Sequence, residues 1–314
     1  MTFREFAVRG IAGRLHEVLQ RSLRKVEEAV GRPPTEADED SASAAARKLG
    51  VWACRLQNEL KKLRQDGDGQ GDPHPELSAK AWFLLRACEL AAAAPDIGMT
   101  ATRAEACRML GEAATHHPHE RELAADVAEI LAALGDADDC DANDTSPKFE
   151  TVVEQLRAAH TRNSEFKALI RVETRLTARW LAKSLAVVEE KKNFPVKPCL
   201  VLGRGSREWD AGFTDAEVRS SVAAFRSGSS NVLVSTSVVQ EGFDVKSCDL
   251  VVCFNAECAS SGIDIVQLTG RGRKEVARFV VLAGGAKDRI QFRGALRQAD
   301  NMRRVVAAEA ASST

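Results

Sequence analysis

Two stretches decide how this chain is read: Asn231-Val-Leu-Val-Ser-Thr-Ser-Val-Val-Gln-Glu-Gly-Phe-Asp244 and Gln267-Leu-Thr-Gly-Arg-Gly-Arg273. The first opens on a short β-branched apolar run, which reads as a strand, and passes into small hydroxyls, a glycine and a carboxylate. The second sets two arginines apart with glycines at the end of a helix predicted over 263–270. Between them lies Leu-Val-Val-Cys-Phe at 250–254, apolar on both faces, as a strand in the middle of a parallel sheet must be.

Outward from these stretches, short β-rich runs alternate with helical patterns. Strands are predicted over 166–172, 199–202, 231–235, 250–254 and 279–282, and helices over 177–188, 214–227 and 263–270. Thr214 and Glu217 have capping-box spacing, and Gly228 stands where a helix ends on glycine. Upstream, Ser146 and Pro147 start another helix, whose apolar face is Phe149, Val152, Val153 and Leu156. Alternating strand and helix argues for an α/β, doubly wound parallel sheet. The tail, 288–309, reads as one more charged helix.

The stretch 1–134 differs in kind. It is rich in Ala, Leu, Arg and Glu, and helices are predicted over 3–30, 43–63, 76–93, 100–114 and 120–134. The acidic, small-residue stretch 136–146 reads as a linker. The expected organisation is therefore an all-helical part at 1–145, an α/β domain at 146–286 and a C-terminal helical segment at 287–314.

At 314 residues the chain can bury a substantial core and form two domains. Hydrophobic residues make up 44% and charged residues 28%. That is the balance of a globular protein. The net charge of −1 excludes a global basic field, so a nucleic-acid partner must be held by a local patch. None of the eight cysteines forms a Cys-x-x-Cys pair, which points to a reducing compartment, cytoplasmic with the nucleus as the alternative. Cys248, Cys253 and Cys258 are evenly spaced, but Cys253 lies within an apolar run and the spacing is not that of zinc ligands, so no metal site is expected. His116, His117 and His119, around Pro118, read as a helix corner. No apolar run is long enough to cross a bilayer, and no membrane partner is expected.

Ligands of open parallel sheets bind beyond the C-terminal strand ends. Ser235, Thr236 and Ser237 fall there, and hydroxyls with backbone N–H groups hold phosphates. Gly242 lets backbone approach closely, and Asp244 is placed to accept from a ribose hydroxyl. An ordinary polar turn has the same composition, so the arginines carry the weight. Guanidinium groups match phosphate oxygens and stabilise charge in phosphoryl transfer. Arg271 and Arg273, beside open Gly270 and Gly272, fit that role; a basic helix end is the simpler alternative.

In these residues the stretch 146–284 resembles the second RecA-like domain of superfamily 2 helicases. Residues 231–245 resemble motif V and 267–273 motif VI. Ile170-Arg-Val-Glu-Thr-Arg-Leu-Thr-Ala178 resembles motif IV, and Leu202-Gly-Arg-Gly-Ser206 the TGRG-type motif after it. The resemblance is greatest to the RIG-I-like receptor and Dicer helicases, which carry a helical insertion where the first part of this chain lies. It implies a RecA-like domain preceded by an all-α insertion, and a final helix that begins a pincer segment. It also implies roles: Gln267, Arg271 and Arg273 facing the triphosphate, the arginines as fingers; Gly242 and Asp244 at the nucleotide edge; Thr174, Arg175, Gly203, Arg204, Gly205, Thr236 and Ser237 along the RNA. Two positions depart from the family: Thr269 stands where a basic residue is usual, and Ser235 where alanine is common.

No Gly-x-x-x-x-Gly-Lys-Ser/Thr run occurs, and Asp38-Glu39-Asp40 sits in a polar loop with no strand before it. The resemblance therefore implies that ATP and its Mg2+ are held largely by a first RecA-like domain, supplied in cis or in trans, and that this chain alone does not hydrolyse ATP. The expected function is the C-terminal half of an ATP-dependent RNA helicase or translocase that binds double-stranded RNA. The alternatives are a non-catalytic RNA- or protein-binding module and a fragment of a Hef-type DNA fork helicase. Trp209, in the loop beside the inferred RNA path, is a candidate stacking residue.

Overall fold

The computed structural model describes residues 86, 89–90, 93–94, 96–98, 101–108, 146–192, 194–203, 206–207, 210–211, 213–236, 248–271 and 277–312. The helices expected over 3–30, 43–63 and 120–134, the histidine cluster, Trp209, Arg204, Gly205, Ser237, Gly242, Asp244 and Arg273 lie outside these residues. The chain divides at Ser146/Pro147 into two units. In the first, the described residues are helical up to 97 and again over 101–108. Arg86, buried, bridges to Glu105 at 3.0 Å and ties the two stretches together.

The second unit is built on five parallel strands: β1 (Ala168–Arg171), β2 (Pro198–Val201), β5 (Val232–Ser235), β6 (Leu250–Cys253) and β7 (Arg278–Val281). Their order is β2-β5-β1-β6-β7, which puts β1 at the centre. Two further strands, β3 (Ser206–Arg207) and β4 (Asp210–Ala211), form a small antiparallel pair that the sequence reading leaves as loop. The helices are α1 (Pro147–Arg162), α2 (Arg175–Lys192), α3 (Asp215–Ser227), α4 (Gly262–Thr269) and α5 (Ala286–Ser312).

Strand alternation sorts the core into two layers. Ile170, Val234 and Val252 face one way and pack with Phe149, Val152 and Leu156 of α1 and Leu181 and Leu185 of α2. Leu169, Leu233 and Val251 face the other way, against Val218, Val222 and Phe225 of α3, Ile265 and Leu268 of α4, and Ala295 and Ala299 of α5. The sheet is thus covered on both faces, as an all-parallel sheet requires. Trp180 is half-buried and meets Phe149 edge-on with 5.4 Å between ring centres, so it serves the core.

Helix ends follow their local chemistry. Thr214 and Glu217 form the expected capping box, and Gly228 ends α3 at φ 84°. Only glycine is unstrained there. A second box, Ser261 with Asp264, starts α4. Ser146 does not cap α1: its hydroxyl is buried without a hydrogen-bond partner among the described residues. Pro147, which has no N–H to satisfy, begins that helix. Gly262 is required by packing, because a Cβ there would lie 2.8 Å from the Ala299 nitrogen of α5. Among the described residues no helix is long and apolar enough to cross a membrane.

Candidate nucleotide and nucleic-acid site

The in-register pairing of the strands lines up their last residues as Val201, Ser235, Arg171, Cys253 and Val281. Just beyond this row the chain gathers polar groups. Thr236 follows β5 and is buried; its N–H donates to the Val201 carbonyl at 3.3 Å, and its Oγ1 accepts the Gly203 N–H at 3.1 Å. The structure therefore brings together Thr236 and Gly203, two of the residues expected along RNA. A hydroxyl that accepts one bond still has its proton to donate. Ser235 donates to the Thr236 carbonyl at 2.7 Å, which fixes the turn out of β5.

After β1, Thr174 heads α2. Its hydroxyl accepts the Thr177 N–H at 3.1 Å and donates to the Thr177 hydroxyl at 2.8 Å. It thus acts first as a helix cap. The Glu173 N–H donates to Asn255 Oδ1 at 3.1 Å, linking the loops after β1 and β6. Arg175 is half-buried at the first position of α2.

Arg271 lies elsewhere. α4 begins near the end of β6 and runs back along the sheet. Arg271, two residues past its end, accepts the Cys248 N–H on its carbonyl at 3.1 Å, and Cys248 stands just before β6. The backbone of Arg271 is therefore at the strand starts, while Thr236 and Gly203 are at the strand ends. An antiparallel return helix carries its C-terminus back by its own length, which accounts for this position of Arg271. Gln267 is exposed on α4. Thr269 accepts from Arg303 of α5 at 2.9 Å, so a cation from another helix stands beside this departure from the family pattern.

Sequence reasoning missed the residue at the centre of the row. Arg171 ends the otherwise apolar Ala-Leu-Ile-Arg strand with 9% of its surface exposed. Its Nε and Nη1 have no hydrogen-bond partner among the described residues. It hydrogen-bonds Cys258, which also lies 3.8 Å from Glu173 Oε2, and it acts on Cys253 beside it. Burial pushes the Cys258 thiol well up, reinforced by the Glu173 carboxylate and opposed by Arg171. Burial likewise pushes Cys253 up to about 12. Both sulfurs are therefore neutral thiols at ordinary pH. The visible signal in the sequence was a charged residue closing a buried strand. Cys248 and Cys253 sit at opposite ends of β6, and among the described residues no group of three side chains is arranged to hold a metal ion.

The sequence has known counterparts. Residues 147–275 match the helicase conserved C-terminal domain. The chain is 33% identical over 150 residues to Dicer-like protein 2 of Phaeosphaeria nodorum, covering 46% of this chain and 11% of that protein. It is 31% identical over 147 residues to the antiviral innate immune response receptor RIG-I of Homo sapiens, covering 46% and 16%. Over 90 residues it is 43% identical to the Fanconi anemia group M protein homolog of Mus musculus, covering 28% and 4%. The chain thus spans less than a fifth of each of these relatives.

Proposed function

We propose that this chain is the C-terminal half of an ATP-dependent helicase or translocase that tracks double-stranded RNA. One observation carries the reading: the bonded pair Thr236–Gly203 offers polar groups at the strand ends, while Gln267 lies on α4 and Arg271 just beyond it. That separation suits two ligands held at once, a nucleic-acid backbone over the strand ends and a nucleotide beside α4. Backbone recognition of A-form duplex needs phosphate and 2′-hydroxyl partners rather than base contacts. Arg271 and Arg273 would stabilise charge on the transferring phosphoryl group, with Gly242 and Asp244 at the nucleotide edge. A first RecA-like domain, in cis or in trans, would hold the phosphates of ATP and the Mg2+. Of the family-implied RNA contacts, Arg175 stands beside the Thr174 cap, and Arg204, Gly205 and Ser237 adjoin Gly203 and Thr236 in sequence.

The test is binding of the full chain to a short blunt RNA duplex without nucleotide. Affinity should fall steeply as salt rises, and ATP turnover by the chain alone should be absent. A second reading, a DNA fork helicase, is favoured by the identity with the Fanconi anemia group M homolog. Competition between duplex RNA and forked DNA separates the two, and preference for the fork replaces the first reading with the second.

A further inference from the structure

We propose that Arg171 is a phosphate-binding residue, held at the end of the central strand for a backbone phosphate of the bound nucleic acid. The proposal rests on the nucleic-acid reading above and adds a residue to it. A guanidinium carries a full charge and five N–H donors. Removing such a group from water is unfavourable unless it is paired and hydrogen-bonded. Arg171 is nine-tenths buried, yet Nε and Nη1 have no partner among the described residues. Its contact is the Cys258 sulfur, a thiol held in its neutral form and so no counter-charge. Glu173, two residues on, is exposed, and its carboxylate contact is with Cys258. Asp264, which acts on Cys253 together with Arg171, accepts from Ser261. Nε and Nη1 of the guanidinium are thus short of an acceptor among the described residues.

Its position says which acceptor fits. Arg171 lies in register between Ser235 of β5 and Cys253 of β6. The groups just past that row, Thr236 and Gly203, are those assigned above to nucleic acid. The nucleotide reading belongs to Gln267 and Arg271, and the Arg271 backbone lies at the strand starts. A phosphate over the strand ends meets Arg171 with most of its hydration already removed, where a charge-assisted hydrogen bond is strongest.

The test compares the full chain with Arg171→Met, using exposed Arg162→Gln as a control for the loss of one positive charge. Thermal melts with and without inorganic phosphate are read beside affinity for duplex RNA across a salt series. Arg171→Met should melt no lower than wild type, lose the phosphate-induced rise, bind RNA roughly tenfold more weakly and show a salt slope shallower by about one. Arg162→Gln should keep the phosphate response. A lowered melting point in Arg171→Met, with the phosphate response and RNA affinity of the control, makes Arg171 a packing residue and overturns the proposal. If Arg171→Met does not fold, Arg171→Lys replaces it, and a phosphate response equal to wild type contradicts the proposal. If wild type binds no RNA but its phosphate response depends on Arg171, the nucleic-acid reading falls while the residue's affinity for phosphate stands.

Discussion

The two rims of the parallel sheet are built on different principles. At the strand starts, side chains tie off backbone groups. Asp249, just before β6, accepts the Lys167 N–H at 2.9 Å and the Asn163 amide at 3.1 Å. Asn231, just before β5, accepts the Lys197 N–H at 2.7 Å and donates to the Pro195 carbonyl at 2.7 Å. At the strand ends the central strand finishes on a guanidinium with two nitrogens unpartnered among the described residues, beside a buried threonine. Both rims tie backbone groups to side chains, as Thr236 and Asn255 do at the strand ends, but only the strand ends also hold guanidinium donors in reserve among the described residues. Ligands of parallel sheets bind at that second rim, beyond the strand ends.

The largest effect should come from the closed rim. Asp249→Ala leaves the Lys167 N–H without its carboxylate. It should cost about 2–3 kcal/mol in urea unfolding, with RNA affinity unchanged under native conditions. A fall in affinity with no loss of stability would erase the distinction between the rims. Next in size is Gly262→Ala, where the added methyl meets the backbone of α5. It should cost about 2 kcal/mol by forcing α4 from α5.

Thr236→Val keeps the side-chain shape but removes the acceptor for the Gly203 N–H. It should cost about 1 kcal/mol and weaken RNA binding measurably, while Thr236→Ser restores both. Unchanged binding in the valine variant would take Thr236 out of the interface. A last effect is that of alkali. Cys253 is held protonated by burial, with its folded value raised from 9.0 to about 12. The unfolded chain ionises this thiol first, so its contribution is complete below pH 9.0 and is lost as pH climbs toward about 12. A urea midpoint that falls over that window in wild type, and falls less in Cys253→Ala, checks the assignment.

Much of this fold is legible along the chain, because its signals are local. Thr214, Glu217 and Gly228 bound α3 by chemistry confined to one helix, and the apolar run at 250–254 announces a strand buried on both faces. The Ser261–Asp264 box is equally local and could have been read from its Ser-x-x-Asp spacing. Strand order is not local: five short apolar runs resemble one another, and nothing within 168–171 says that it lies between β5 and β6. The site was half legible for the same reason. Thr236 and Gly203 are marked by composition, but their hydrogen bond depends on β2 and β5 being neighbours. The position of Arg271 depends on the direction of α4, and the unpartnered Nε and Nη1 of Arg171 on what the neighbouring strands fail to offer them among the described residues.

The most direct test of the account is the affinity of the full chain for a blunt RNA duplex, without nucleotide, between about 50 and 200 mM salt. The account predicts binding that weakens linearly on logarithmic axes and is further weakened by Thr236→Val. No binding even at the lowest salt, or binding indifferent to both salt and Thr236, would contradict it.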